Sequence, residues 1–145
     1  MRKLKLLFIC THNSARSQMA EGLANHYFGE WVEAYSAGTE ATFVKPHAIK
    51  VMEEIGIDMS THFSKTVYHF ENETFDYIIT VCDHAKETCP FFPGGKHYLH
   101  QSFPDPSEVD GDDESKTEAF RKSRDEIKKW LFEFIEKIKN NTDDR

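Results

Sequence analysis

The feature that most constrains this chain is the segment of residues 10–17, CTHNSARS, which lies between an apolar run and a helical pattern. The apolar run, residues 3–9, is typical of a central parallel strand that is buried on both faces. After it come a polar turn at residues 11–14 and a helical spacing of apolar residues as far as Tyr27. A loop of this length can curl so that its backbone N–H groups converge on one tetrahedral anion at the positive end of the helix. The sequence therefore predicts a strand, an anion-binding loop and a helix.

The side chains of this loop have the chemistry of a nucleophilic anion site. Arg16 can clamp two oxyanion oxygens with its planar fork. The converging N–H groups and the helix dipole favour the thiolate of Cys10, to which Ser17 is placed to donate a hydrogen bond. Asn13 tolerates unusual backbone angles and can tie the loop together. The other residues predicted to line the substrate site are Thr11, His12, Ser14 and Ala15. The alternative is a buried structural cysteine with Arg16 on the surface.

A second candidate group is Asp105, which stands before Pro106 in a polar, irregular loop. Displacement at a tetrahedral oxyanion by a thiolate requires a proton for the leaving oxygen, and Asp105 can serve as that general acid. The alternative is a solvated turn aspartate, because Asp-Pro is common in loops.

Two further cysteines follow the loop. Cys82 ends an apolar segment, residues 75–82, that is predicted as a strand, and Cys89 lies in a loop containing Pro and Gly. In parallel sheets ligands bind at the carboxyl ends of strands, which is where Cys10 and Cys82 both fall. Alternatively, Cys82 is a packed core thiol and Cys89 is an incidental loop residue.

The remaining pattern predicts an α/β fold. Residues 31–36 and 97–102 are predicted strands, and a helix is predicted from Pro46 to Gly56. The last helix is expected to begin near Ser115 in a capping box with Glu118. Strands alternating with helices favour a three-layer fold with a four-stranded parallel sheet and helices on both faces. No linker divides the chain, so residues 1–145 are expected to form a single domain.

Composition narrows the possible partners and the compartment. The net charge of −7 argues against nucleic acid, and no apolar run approaches the roughly 18–20 residues that span a bilayer. Three cysteines without a signal sequence indicate a reducing compartment, so we expect a cytoplasmic protein and, by default, a monomer. Zinc is a weaker alternative, because the spacings of the candidate ligands fit no familiar zinc pattern. These ligands would be the cysteines with His12, His84, His97 and His100.

The loop, the Asp-Pro element and the order of elements resemble the low-molecular-weight protein tyrosine phosphatase fold. Within it, CTHNSARSQMAEG and the pair Cys82 and Cys89 look like the thioredoxin-coupled arsenate reductases. The resemblance implies that Cys10 attacks arsenate, that Arg16 binds it and that Asp105 handles the proton. It also implies a disulfide relay from Cys10 to Cys82 and Cys89, regenerated by thioredoxin, with no tightly bound cofactor.

Two other functions remain open. One is a phosphatase that hydrolyses phosphate monoesters through a phosphocysteine at Cys10, which would not need the other two cysteines. The other is a redox sensor or anion-binding module without turnover.

The resemblance also raises the question of a potassium ion behind the loop. Asn13, Glu21 and Ser36 match the oxygen ligands that some family members use. The positions of the remaining ligands are occupied by Phe63 and Lys65, so we expect a lysine ammonium group to substitute for the ion.

Overall fold

The computed structural model describes residues 2–83 and 91–143, with side chains as far as residue 140. Four strands and three α-helices make up its regular structure. In chain order they are β1 (Leu4–Cys10), α1 (Arg16–Phe28), β2 (Val32–Gly38), α2 (Pro46–Glu53), β3 (Phe75–Thr80), β4 (Gly95–His100) and α3 (Asp113–Asp143). Two short 3-10 helices, Val67–Phe70 and Pro106–Glu108, lie in the connections.

The strands form one parallel sheet in the order β2-β1-β3-β4, which confirms the predicted four-stranded parallel sheet. β1 lies inside the sheet, with Cys10 opposite Gly38 of β2 and Ile9 opposite Thr80 of β3. The carboxyl end of β1 therefore lies beside the ends of both neighbouring strands. This edge is where parallel sheets place their ligands.

The two faces of β1 are covered by different elements. Leu6 and Phe8 belong to the larger core cluster, which also contains residues of the three α-helices. Leu7 and Ile9 point to the other face, which the 3-10 helix covers with Phe70. Burial on both faces explains why β1 is a continuous apolar run without alternating polar residues.

Several boundaries differ from the prediction. β4 begins two residues earlier than expected, at Gly95, and β3 ends at Thr80, so that Cys82 lies just beyond the strand. The predicted capping box at Ser115 is wrong, because α3 begins at Asp113. Asp112 caps this helix instead, since its Oδ1 accepts a hydrogen bond from Ser115 N at 2.8 Å.

Within the part of the chain that the structure describes, no helix has both the length and the apolar character needed to cross a bilayer.

A buried carboxylate holds the start of β1 at the edge of the sheet opposite the candidate site. The side chain of Asp76 is only 7% exposed, and it accepts hydrogen bonds from Arg2 Nη1 at 2.9 Å and from Lys5 N at 2.8 Å. Lys96 Nζ lies 3.4 Å from its other oxygen. Burial alone would raise the pKa of Asp76, but these donors favour the charged form and lower the pKa to about 2.

Asp76→Asn is expected to reduce stability at neutral pH by about 2 kcal/mol, because the amide cannot bind Arg2 through two acceptors. In the native chain this stabilisation is complete above about pH 4 and is lost as the pH falls toward 2, since the unfolded state takes up the proton first. Urea unfolding at several acidic pH values measures this loss. Glu73→Gln, which changes an exposed neighbouring carboxylate, is the control. An unchanged acid dependence in Asp76→Asn would contradict this account.

Candidate active site

Residues 10–17 form a loop, here called the cradle, whose backbone carbonyls turn outward. Five consecutive carbonyl oxygens accept hydrogen bonds of 2.8–3.2 Å from neighbouring groups. The acceptors belong to Thr11, His12, Asn13, Ser14 and Ala15, and the donors are Glu40 N, Ser64 Oγ, Gln18 Nε2, Lys45 N and Met19 N. The C=O and N–H of a trans peptide point in opposite directions, so the N–H groups of the cradle face its interior. Convergent N–H groups at the start of α1 form an anion site.

The end of β2 approaches the cradle so closely that only glycine fits there. A Cβ atom at Gly38 would lie 2.7 Å from Thr11 O and 2.8 Å from Asn13 N. Both are backbone atoms that cannot move without opening the cradle. Gly38 therefore allows β2 to support the loop from behind.

Cys10 lies at the base of the cradle and is 2% exposed. Its Sγ is 2.8 Å from Ser17 Oγ, and Asn13 Nδ2 donates to the same hydroxyl oxygen at 2.8 Å. Asn13 has a φ of 50°, in the left-handed region that asparagine adopts more readily than most residues. The structure thus brings together Cys10, Ser17 and Asn13, three side chains that the sequence assigned to this loop.

Arg16 is almost completely buried and is held from two sides. Its Nη1 donates to Phe103 O at 3.1 Å, and its Nη2 lies 3.6 Å from Asp105 Oδ2. The guanidinium group is thus fixed at the first turn of α1, beside the cradle. A planar fork held in this way is suited to binding two oxygens of a tetrahedral anion.

Asp105 reaches the cradle from the loop after β4. Its Oδ1 accepts hydrogen bonds from Ser107 N at 2.9 Å and Ser107 Oγ at 2.6 Å, while Oδ2 faces Arg16. The carboxyl group is 15% exposed, so it is neither a freely solvated turn residue nor fully enclosed. Its position is suited to exchanging a proton with a group bound in the cradle.

The two cysteines of the described region are in different states. Cys10 is a free thiol, whereas Cys82 takes part in a disulfide. Cys82 Sγ lies 3.6 Å from Ile9 O, the carbonyl immediately before Cys10, so the second cysteine lies against the backbone that leads into Cys10. Cys89 lies outside the described residues.

Behind the cradle, three polar side chains gather where the sequence suggested an ion. Ser36 Oγ donates to Glu21 Oε1 at 2.6 Å, and Lys65 Nζ lies 3.9 Å from the same oxygen. Lys65 Nζ also donates to Phe63 O at 3.0 Å. Burial lowers the pKa of Lys65, and the charge of Glu21 partly offsets this.

Of the candidate zinc ligands, the described ones contact other groups. His97 stacks on Tyr77, His100 Nδ1 is 2.7 Å from Thr80 Oγ1, and His12 Nε2 is 3.4 Å from Glu40 Oε2 at the exposed rim. His84 lies outside the described residues. Among the residues that the structure describes, no group of three or more His, Cys, Asp or Glu side chains could hold a metal ion.

The sequence matches the family described as low molecular weight phosphotyrosine protein phosphatase over residues 5–144. The chain belongs to this family. Its relatives within the family include the arsenate reductase of Halalkalibacterium halodurans, 45% identical over 136 residues that cover 94% of this chain and 98% of the relative.

Solved structures give the same family relationship. An arsenate reductase in the phosphate binding state is 31% identical with a TM-score of 0.75, and the match covers 94% of this chain and 99% of that one. A thioredoxin-dependent arsenate reductase from Corynebacterium glutamicum is 31% identical with a TM-score of 0.63, over 92% of this chain and 62% of that one. The chain is thus similar to the arsenate reductases of the phosphatase family, which agrees with the resemblance seen in its motifs.

Three residues of this phosphatase-family site were not singled out from the sequence. Gly38 supports the cradle and could have been suspected, because a glycine ends a predicted strand. Gln18 contacts the cradle backbone, but it follows the motif as one polar residue among several. Phe103 acts through its carbonyl oxygen, which has no signal in a side-chain pattern.

Arg16→Lys is expected to weaken phosphate binding by at least about tenfold, because an ammonium group cannot replace the planar two-oxygen fork. Isothermal titration of the folded variant with phosphate measures the change. Lys45→Arg is a control, because it alters a nearby cation whose backbone N–H, not its side chain, supports the cradle. Native-like phosphate affinity in Arg16→Lys would show that Arg16 is not the anion clamp.

Proposed function

We propose that this protein reduces arsenate to arsenite, using Cys10 as nucleophile and a disulfide relay through Cys82 and Cys89. The observation that carries the proposal is the pairing of a free thiol at the base of an oxyanion cradle with a disulfide-bonded cysteine beside it. A phosphatase needs the first thiol only. Arsenate reduction needs two electrons, which two thiols supply when they form a disulfide.

In the first step the thiolate of Cys10 attacks arsenic, held by the cradle N–H groups and Arg16. An arsenic–oxygen bond breaks, and Asp105 gives a proton to the leaving oxygen, which departs as water. The product is a covalent Cys10–arsenic(V) adduct. The Ser17 hydroxyl stabilises the Cys10 thiolate before this attack and again when the thiolate is released at the end of the relay.

In the second step the thiolate of Cys82 attacks Cys10 Sγ. The electron pair of the sulfur–arsenic bond moves to arsenic, which leaves as arsenite, and a Cys10–Cys82 disulfide forms. Cys89 then attacks Cys82 Sγ and releases Cys10 as a thiolate. The observed combination of a free Cys10 and a disulfide-bonded Cys82 is the one expected after this last step.

The relay ends with a disulfide that an external dithiol must reduce. Thioredoxin fits this role, and the thioredoxin-dependent reductase from Corynebacterium glutamicum is a relative of this chain. Cys10 is too deeply buried for another protein to reach. Transfer of the disulfide from Cys10 to the later cysteines therefore allows an external dithiol to reduce it. We place the reaction in the cytoplasm, where thiols are kept reduced.

The test is arsenate-dependent oxidation of NADPH in the presence of thioredoxin and its reductase. The native chain is compared with Cys10→Ser, Cys82→Ser and Cys89→Ser, and each is also assayed for hydrolysis of a phosphate ester. We expect all three substitutions to abolish sustained arsenate turnover, with only Cys10→Ser abolishing any ester hydrolysis. A native chain that hydrolyses the ester but oxidises no NADPH with arsenate would establish the phosphatase alternative that its family name suggests.

Asp105→Asn is expected to lower arsenate turnover by about 100-fold, because the amide cannot donate the proton that the leaving oxygen requires. Phosphate binding should survive, since Arg16 keeps its contact with Phe103 O. Steady-state turnover and phosphate titration separate the two effects. Asp110→Asn, in the same acidic loop, is the matched control. Equal turnover of Asp105→Asn and the native chain would remove Asp105 from the chemistry.

We also propose that no potassium ion binds behind the cradle. The ammonium group of Lys65 donates to the carbonyl of Phe63 and lies 3.9 Å from the Glu21 oxygen that Ser36 contacts, which supports a lysine in place of the ion. A potassium ion there would meet the charge of Lys65. We therefore expect the protein to need no metal ion.

Arsenate turnover is expected to be the same in sodium chloride and in potassium chloride at equal ionic strength. Lys65→Met should turn over more slowly in both salts, because Glu21 then loses its internal counter-charge. A marked increase in native turnover with potassium would show that the lysine does not replace the ion.

A further inference from the structure

Gln18 is the first residue after the cradle, and it contacts the site through both ends of its side-chain amide. Its side chain is fully buried. Nε2 is within hydrogen-bond distance of Asn13 Oδ1 at 2.8 Å, Phe63 O at 2.9 Å and Asn13 O at 3.2 Å. On the other side, Oε1 lies 2.9 Å from His62 Nδ1.

These contacts allow only one orientation of the Gln18 amide. Its three close neighbours on one side are oxygens that can only accept, so the NH₂ group must face them. The reverse orientation would place Oε1 against three oxygens. With the amide fixed, Oε1 accepts and His62 Nδ1 carries the hydrogen of that contact.

The orientation of Asn13 follows from a second fixed group. Its Oδ1 accepts from the backbone N–H of Lys65 at 3.0 Å and from Gln18 Nε2. A backbone N–H can only donate, so the oxygen of Asn13 must face Lys65 and its Nδ2 must face Ser17. Asn13 Nδ2 then donates to Ser17 Oγ at 2.8 Å.

Ser17 is thereby left with one direction for its own hydrogen. Its oxygen accepts from Asn13, and the remaining neighbour within hydrogen-bond distance among its described contacts is Cys10 Sγ at 2.8 Å. The hydroxyl must donate to the sulfur. A sulfur that receives a hydrogen bond is favoured as a thiolate over a thiol.

We propose that Gln18 is a positioning residue that sets the direction of the hydrogen bonds ending at Cys10. It acts with the backbone of residues 63–65, through Asn13 and Ser17. The inference rests on Cys10 being the nucleophile of the proposed function, and it deepens that function by naming what holds the nucleophile ready. Gln18 touches neither Cys10 nor the cradle interior in the described contacts, so its effect is indirect.

The test measures the reactivity of Cys10 without arsenate or thioredoxin. The reduced full-length chain is alkylated with iodoacetamide, and the Cys10 peptide is followed by mass spectrometry at pH 7 and pH 10. In Gln18→Met, which has a similar length but no donor, Asn13 Oδ1 keeps only the N–H of Lys65 as a donor, so Asn13 is held less firmly and Ser17 points at the sulfur for less of the time. We expect alkylation of Cys10 to slow by about tenfold at pH 7, the effect of about one hydrogen bond to a charged group, and to stay native-like at pH 10.

The matched control is Asn25→Leu, which removes another side-chain amide contact of α1. Asn25 bonds the backbone of Ala34 through Nδ2 at 2.9 Å and through Oδ1 at 2.8 Å, with no path to Cys10. It should lower the melting temperature and leave Cys10 alkylation unchanged at both pH values. Should Gln18→Met fail to fold, Gln18→Glu keeps the shape and replaces the donor with an acceptor, so the same slowing at pH 7 is expected.

Native-like alkylation at pH 7 in the folded Gln18 variant would overturn the proposal. Equal slowing in Asn25→Leu would do the same, because the effect would then follow stability rather than hydrogen-bond direction. If alkylation of Cys10 depends on Gln18 but the native protein reduces no arsenate, the proposed function is refuted and this inference stands. A chain that reduces arsenate with no role for Gln18 would do the reverse.

Discussion

The site depends on the orientation of five successive peptide groups in the cradle, whose carbonyl oxygens face outward. Each carbonyl from Thr11 to Ala15 has a donor outside the loop, so each following N–H is left facing inward. Those donors come from four separate parts of the chain, including the segment after β2, the residue before α2 and the first turn of α1. An anion site made of backbone groups needs this kind of support, because unpaired carbonyls would otherwise turn the peptides back.

This arrangement explains how an acidic protein can hold an oxyanion. The net charge of −7 repels an anion at a distance, so binding must come from local groups. The inward N–H groups, the start of α1 and the buried Arg16 supply that local field. Asp105 adds a carboxyl group 3.6 Å from Arg16 Nη2, where the proposed reaction requires a proton donor.

The sequence allowed much of this to be predicted because the relevant signals are local. A buried strand, a cysteine, five residues and an arginine fix a loop whose chemistry can be worked out from spacing alone. The alternation of elements was enough for the parallel sheet. What could not be predicted depends on contacts between distant residues: the carbonyl of Phe103 behind Arg16, the close approach of Gly38, and the amide of Gln18 between Asn13 and His62. The start of α3 was misplaced for a different reason, since both Asp112 and Ser115 are good caps and only the observed bond to Asp112 decides between them.

The central claim is that one arsenate consumes the electrons of two thiols and returns Cys10 to its free state. The most direct measurement is a single turnover of the fully reduced chain with excess arsenate and no thioredoxin, quenched in acid. Arsenite is then quantified, and the cysteines are mapped by alkylation and mass spectrometry. The account predicts one arsenite per chain, a disulfide that includes Cys82, and a Cys10 thiol that can still be alkylated. No arsenite, or arsenite formed with all three thiols still free, would contradict it.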